Sequence, residues 1–349
     1  MITGNPPTTL PRAVPPTSWS DPERFLKLMS SPWGRTVIEL QNAISVGTAK
    51  FWAERSVSAI HLPVTTGSVS SPMGLGSDSK PVPVDLLGAR TYLADSMQFL
   101  LEFGTRMTSN GCYYLMPSFR GENADETHLC QFYHSEAEIP GDLDQVSEVV
   151  EDYLRSLCRA VLDLCPDVVL AAAGTTAHLE DVAARQGAFD RMTFAEAVKL
   201  LDDDPRFVRH ENDGGETWRT LTRAGERRLI EHCGGYVWVT HFDRLAVPFY
   251  QAFEDGQRLA RNADLLFGMG EVVGVGERHV TADQVRAALR LHQVPEEDYS
   301  WYVAMREHSP LLTSGFGLGV ERFMMWVLQH WDIRDMQLLN RANGQVCNP

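Results

Sequence analysis

The sequence predicts an α+β protein, and three observations carry that reading. Apolar residues recur at helical spacing from Thr36 to Arg55 and again between 142 and about 204. Two strand-like runs, Cys112 to Arg120 and His128 to Glu138, flank the polar stretch Gly121–Thr127 as the arms of a hairpin do. Near the C-terminus the period changes inside one stretch: Gly315, Gly317 and Gly319 fall on one face of a strand, and Phe323, Met324, Trp326, Val327 and Leu328 then follow helical spacing. That bare strand face with Arg322 beside it suits a nucleobase and its phosphates. It suits equally a buried strand feeding a core helix.

Taken in order, residues 1–32 are rich in Pro, Thr and Ser (Pro6, Pro7, Pro11, Pro15, Pro16) and read as a tail or arm ahead of a single domain spanning 33–349. The helix of 36–55 presents Val37, Leu40, Ile44, Val46, Phe51 and Trp52, and leads into a strand, Val57 to Thr65, that contains Pro63. A helix entering a proline-bearing strand recurs at dimer interfaces and also in ordinary packing. Residues 66–79, dense in Gly and Ser, form a lid or a plain surface loop. A strand at Val82–Leu87 and a helix at Tyr92–Phe103 precede the hairpin. The hairpin's near ends bring Arg120, Glu122, His128 and Phe132 together, groups able to hold a phosphate, a base amine and a ring.

Residues 142–204 supply scaffold helices, and Asp202 to Gly215 reads as a charged surface excursion. Gly235–Thr240 is a strand, with Pro248–Tyr250 on the next. The run from Asp264 to Arg278 places Asp264, Glu271 and Arg278 on adjoining strands. Two carboxylates suit magnesium, which takes one or two and leaves its other positions to water and phosphate. Arg278, by its residues alone, reads as one half of a structural ion pair.

Composition narrows the classes. With 349 residues, 44% apolar and 22% charged, the chain is of ordinary globular make-up, and a net charge of −15 argues against a long nucleic-acid footprint. Six cysteines without C-x-x-C or Cys/His zinc spacing read as reduced thiols. No signal-like start or membrane-length apolar run stands out, so a cytoplasmic protein without membrane contact is expected.

These pieces resemble the catalytic domain of class II aminoacyl-tRNA synthetases. Phe119-Arg-Gly-Glu-Asn to Phe132, within 112–138, is similar to motif 2. Gly315 to Arg322 with Asp332-Ile-Arg-Asp335, within 313–335, is similar to motif 3, and residues 36–65 to motif 1, the dimer motif. Gly270-Glu271 to Arg278 brings the asparaginyl and aspartyl enzymes nearest. The resemblance implies an antiparallel sheet flanked by helices, a homodimer through motif 1, and ATP with Mg2+ as cofactors. It implies Arg120 on the α-phosphate, Phe132 and Arg322 about the adenine, Glu122 at its amine and His128 near the distal phosphates. Glu271 and Asp264 would hold the metal, and Arg278 would grip the side chain of an Asp or Asn substrate. The reaction implied is attack of a carboxylate on the α-phosphorus, with Arg120 and Arg322 as its catalytic cations.

Departures from the pattern shape the rest of the expectation. A Pro-rich tail stands where the synthetases carry an anticodon-binding domain. Thr127 precedes His128 where they usually have arginine, and the 66–79 loop offers Asp78 and serines where they have a glutamate for the α-amino group. Arg90 falls roughly where the family places a substrate-facing glutamine. These departures favour an ATP-dependent ligase that passes its acyl group to ammonia or a small amine, as ammonia-dependent asparagine synthetases do, with tRNA an improbable partner. The alternative is a truncated asparaginyl- or aspartyl-tRNA synthetase-like enzyme that charges tRNA or a carrier protein.

Overall fold

The structure is a computed structural model that describes residues 12–71, 80–254, 256 and 258–344. From residue 12 the N-terminal segment is a docked arm. Ala13 is buried and its N–H donates to Ala171 O at 2.8 Å, while helix α1 (Arg24–Met29) sets the buried Arg24 against Asp335 at 2.8 Å. Helix α2 (Pro32–Glu54) starts at Ser31, whose hydroxyl accepts from the N–H groups of Trp33 and Gly34, and has Pro32 in its first turn, where a missing N–H costs nothing. Its stripe of Trp33, Val37, Leu40, Ile44 and Phe51 is buried.

The strand expected over 57–65 is split into β1 (Ser58–Ala59) and β2 (Thr65–Thr66), with Pro63, which has no N–H to give a ladder, between them. Strands β3 (Val82–Leu86) and β4 (Ala89–Leu93) close a hairpin through Leu87 and Gly88, both at positive φ. Tyr92 therefore lies in a strand, paired with both Thr66 and Pro83, and helix α3 (Gln98–Thr105) begins six residues after the expected start. Long-range pairing overrides helical spacing here.

Strands β5 (Cys112–Phe119) and β6 (Gln131–Pro140) form the predicted hairpin. Helix α4 (Leu143–Leu164) opens with a reciprocal cap between Asp142 and Gln145 and buries Val146, Val150, Leu154, Leu157 and Val161. Helices α5 (Pro166–Ala173) and α6 (Ala177–Ala184), strand β7 (Arg191–Thr193) and helix α7 (Phe194–Leu200) follow. The charged excursion is a hairpin, β8 (Val208–Asp213) and β9 (Glu216–Leu221), turning on Gly214-Gly215, both at positive φ. Then come α8 (Arg223–His232), β10 (Tyr236–Thr240), β11 (Asn262–Phe267), β12 (Gly270–Glu277), α9 (Ala282–Leu291), α10 (Ser300–His308), β13 (Thr313–Gly319) and α11 (Val320–Leu328). Pro248–Tyr250, expected on a strand, lies in a loop after a short turn of helix at Arg244–Ala246.

The main sheet runs β1-β5-β6-β13-β12-β11-β10-β7, antiparallel throughout except where β1 and β7 join its two edges in parallel. Helices α2, α4 and α11 cover one face. There Phe316 and Leu318 of β13 sink into the core, with the Phe316 ring 6.0 Å from Trp52 and 5.8 Å from Tyr153. The opposite face holds the cleft.

Candidate active site

Alternation along β13 gives the cleft its floor. Opposite its three glycines stand the odd-one-out polar residues of β6: Gly315 faces Glu138, Gly317 faces Glu136 and Gly319 faces His134. On the other side Gly317 pairs with Gly274 and Gly315 with Gly276. The centre of the sheet therefore bears no side chains on this face, and neighbours fold across it. A methyl group on Gly315 would collide with Glu138 and Gln98, one on Gly276 with Gln251, and one on Gly317 would stand 2.8 Å from Glu136 Oε1. The floor expected to hold a flat ligand is thus shared with buried carboxylates.

Two cavities adjoin over it. The first, of about 230 Å³, is lined by Arg120, Glu122, His128, Phe132, Glu271 and Arg322 among others. All six residues expected at ATP meet there. The second, of about 270 Å³, is lined by Gln98, Glu136, Tyr250, Gln251, Asp264 and Arg278 among others. Arg120, His134, Glu271 and Gly317 line both. Arg120 so stands at the junction, its guanidinium carbon 5.5 Å from the Phe132 ring centre and its buried Nε without a partner among the described residues. A buried N–H left unpaired is costly, and an anion at the junction would satisfy it. Phe132 and Arg322 both border the first cavity. Arg322 donates to the Glu271 backbone carbonyl at 2.7 Å, and the Glu122 carboxylate accepts the Lys80 N–H at 2.6 Å.

The second cavity is built on ion pairs. Arg278, 2% exposed, sits 3.1 Å from Glu138, donates to Gln251 Oε1 at 3.2 Å and lies over the Tyr250 ring at 5.1 Å. Burial works against its charge, but Glu138 and Glu102 more than offset that and keep it protonated. The structural pair read from the residues and the cavity position implied by the resemblance are both present. Gln98 donates to Glu138 at 2.6 Å, and Glu102 pairs with the buried Arg306 and accepts from Tyr302. Asp95 accepts from Ser70 and Ser71 in three hydrogen bonds of 2.8 to 2.9 Å, which ties the start of the serine-rich loop to the cavity.

Burial pushes the Glu136 carboxyl up to about 8, opposed by the hydroxyl of Ser96 at 2.6 Å; Tyr114 donates to it as well. Burial, with Arg120 and Arg322, drives His134 down to about 3, so its ring is neutral. A carboxyl held above its unfolded value near 4.5 favours folding most when protonated, so this contribution is complete below pH 4.5 and fades as pH rises towards 8. Glu136→Gln is expected to gain stability relative to the wild type across pH 5 to 8, measured by urea unfolding at each pH. A constant difference would contradict it.

Asp264 and Glu271 converge above Gly274, where an added methyl would lie 3.0 Å from Glu271 Oε1 and 3.8 Å from Asp264 Oδ1. Loss of solvent, with Glu271 and Glu226 nearby, pushes Asp264 well above the usual carboxylate range, and Glu226 rises to about 7 for the same reasons. No hydrogen-bond donor among the described residues reaches the Asp264 carboxylate. Among them, too, no three His, Cys, Asp or Glu side chains are arranged to hold an ion by themselves. Two crowded carboxylates fit magnesium, which leaves its other positions to phosphate and water.

Of the residues expected at the substrate, Arg278 lines the second cavity, whereas Arg90 lies exposed on β4 opposite Asp85 and borders neither cavity. Asp78 lies outside the described residues. Gln98, Glu102, Glu136, Glu138, Tyr302 and Arg306 escaped the sequence reading. One signal was available: His134, Glu136 and Glu138 alternate with the small Ser135 and Ala137, a polar face turned to the glycine strand. The described cysteines are all free, and no helix among the described residues is long and apolar enough to cross a membrane.

Comparison with known proteins gives relatives by sequence and by fold. Asparagine–tRNA ligase of Clostridium perfringens strain 13 is 28% identical over 320 residues, covering 84% of this chain and 67% of that protein. The enzyme of the same name from Solibacter usitatus is 29% identical over 343 residues, covering 92% and 73%. Among solved structures, asparaginyl-tRNA synthetase of Pyrococcus horikoshii complexed with asparaginyl-adenylate superposes with a TM-score of 0.82 at 22% identity, covering 94% of this chain and 74% of that one. Aspartyl tRNA synthetase of Entamoeba histolytica gives 0.74 at 18%, covering 94% and 62%. These relatives are tRNA ligases, and none of them joins an acyl group to ammonia by name. The profile of the tRNA synthetases class II (D, K and N) matches residues 20–343, motif 1 to motif 3 inclusive. The chain belongs to that family, whose members are ATP-dependent ligases that form an aminoacyl-adenylate.

Proposed function

We propose that the protein activates asparagine, aspartate or a close analogue as an acyl-adenylate and passes the acyl group to tRNA. The observation that carries this is Arg120 at the junction of two adjoining cavities, one bordered by Phe132 and Arg322, the other by Gln98 and Arg278. An adenosine in the first and an amino acid in the second put the α-phosphate and the reacting carboxylate beside the same guanidinium. A carboxylate oxygen attacks the α-phosphorus in line, the bond from that phosphorus to the β-phosphate's bridging oxygen breaks, and pyrophosphate leaves with the electron pair. Arg120 and Arg322 neutralise the charge that builds on the phosphorus, and the cavities hold the reactants in line. Asp264 and Glu271 would hold magnesium, which supplies further neutralisation when bound.

Arg278 is already neutralised by Glu138, so the second cavity favours a neutral side-chain amide over a second carboxylate. The names of the relatives favour tRNA as acceptor. The net charge of −15 favours the other reading, in which ammonia or a small amine takes the acyl group. Incubation with ATP, labelled asparagine or aspartate and total tRNA is expected to give acid-precipitable label. Label that appears only as a small adduct when ammonium is supplied would replace tRNA with the amine. No ATP–pyrophosphate exchange with any amino acid would remove the activation step itself.

A homodimer through α2 is part of this reading. Met29 is 83% exposed and Ile38 54% exposed, and both border an apolar groove with Phe25, Leu28, Leu338 and Leu339. Sedimentation is expected to show a dimer that Ile38→Asp dissociates, and a wild-type monomer at micromolar concentration would refute this.

A further inference from the structure

The sequence lacks the cation that the family's pattern places before His128, having Thr127 instead, yet the structure brings one to the same spot from a distant element. Arg223, the first residue of α8, stands with Nη2 at 2.9 and 3.1 Å from the two ring nitrogens of His128. Among the described residues its only charged neighbour within 4 Å is Asp125, at 3.9 Å. One turn along the same helix, Glu226 accepts the Glu271 N–H at 3.3 Å. The first turn of α8 therefore touches two residues that line the first cavity, His128 through Arg223 and Glu271 through Glu226.

We infer that Arg223 is the cation that receives the distal phosphates of ATP and the departing pyrophosphate, taking the place of the residue missing at 127. This rests on the activation reading above. With the α-phosphate at Arg120 and the base between Phe132 and Arg322, the β- and γ-phosphates extend towards His128. Burial lowers its pKa, Asp125 opposes that, and Arg223 and Arg322 add to the lowering. An imidazole whose charged form is disfavoured supplies little attraction for a phosphate, and the Arg223 guanidinium beside it supplies that charge. The helix start adds to it, since its free N–H groups carry partial positive charge.

Equilibrium binding of ATP, AMP and inorganic pyrophosphate, by calorimetry on the full chain, tests the assignment. Arg223→Gln keeps most of the stem and removes the charge. It is expected to weaken ATP and pyrophosphate tenfold or more while changing AMP less than twofold. Arg223→Lys is expected to recover most of the ATP affinity, because a point charge serves a phosphate. Arg228→Gln, on the same helix and paired with Glu231 at 3.6 Å, is expected to change none of the three. Equal loss of ATP and AMP, no loss of either, or a lysine variant no better than glutamine overturns the assignment. A wild-type protein that binds no ATP sinks the activation reading instead, so the two failures are told apart.

Discussion

Arg120→Ala is expected to lower asparagine-dependent ATP–pyrophosphate exchange by about 10²–10³-fold, the loss typical of one preorganised group that stabilises transition-state charge. Arg120 is suited to a reacting anion because its buried Nε has no partner among the described residues, and because it is shared by both cavities. Stability should change little, since the side chain leaves no buried carboxylate behind. Exchange measured at saturating substrates beside a urea titration separates the two effects. Retention of more than a tenth of the exchange would mean that the α-phosphate does not pass the junction.

Arg278→Ala should act in the opposite proportion. Glu138 and Glu102 are buried against Arg278, and removing one partner of such a cluster leaves carboxylates without their counter-charge. The expected cost is about 3–5 kcal/mol of folding stability, seen as a lower urea midpoint, together with loss of amino-acid use. Glu138→Gln in the same chain should return part of the stability without restoring activity. A normal urea midpoint for Arg278→Ala would show that the carboxylates find other partners. The family resemblance alone suggests a cleaner lesion, confined to the substrate's side chain, whereas the ion pair read from the residues themselves points to the lost stability.

What could be read in advance was what repeats locally. Glycines at every second position of β13, the turn between two strand-like runs and the apolar stripe of α2 each follow from spacing within a few residues, and each stands in the fold as expected. The six residues expected at ATP, which line one cavity, came with them, since they sit on or beside those elements. The second cavity was harder, because its character depends on register. Glu136 and Glu138 are ordinary strand carboxylates until the pairing of β6 with β13 sets them across glycines and out of solvent. Arg223 was harder still, lying 95 residues from the imidazole it meets. Arg90 stands away from both cavities because sequence distance from the loop cannot tell a strand of the β3–β4 hairpin from the start of α3, where Gln98 lines the second cavity and donates to Glu138.

The glycine rows of β12 and β13 have a consequence for the protein's heat and denaturant resistance. On the cleft side, the middle of the sheet has no side-chain layer of its own, only what folds over from β6 and from Gln251. A nucleotide and an amino acid lying there would complete that layer and act as interior packing for the half-open face. The unliganded enzyme should therefore exchange its central-strand amides faster than a sheet covered on both sides. Saturation at 100 times the dissociation constant should add about 2.7 kcal/mol to its stability.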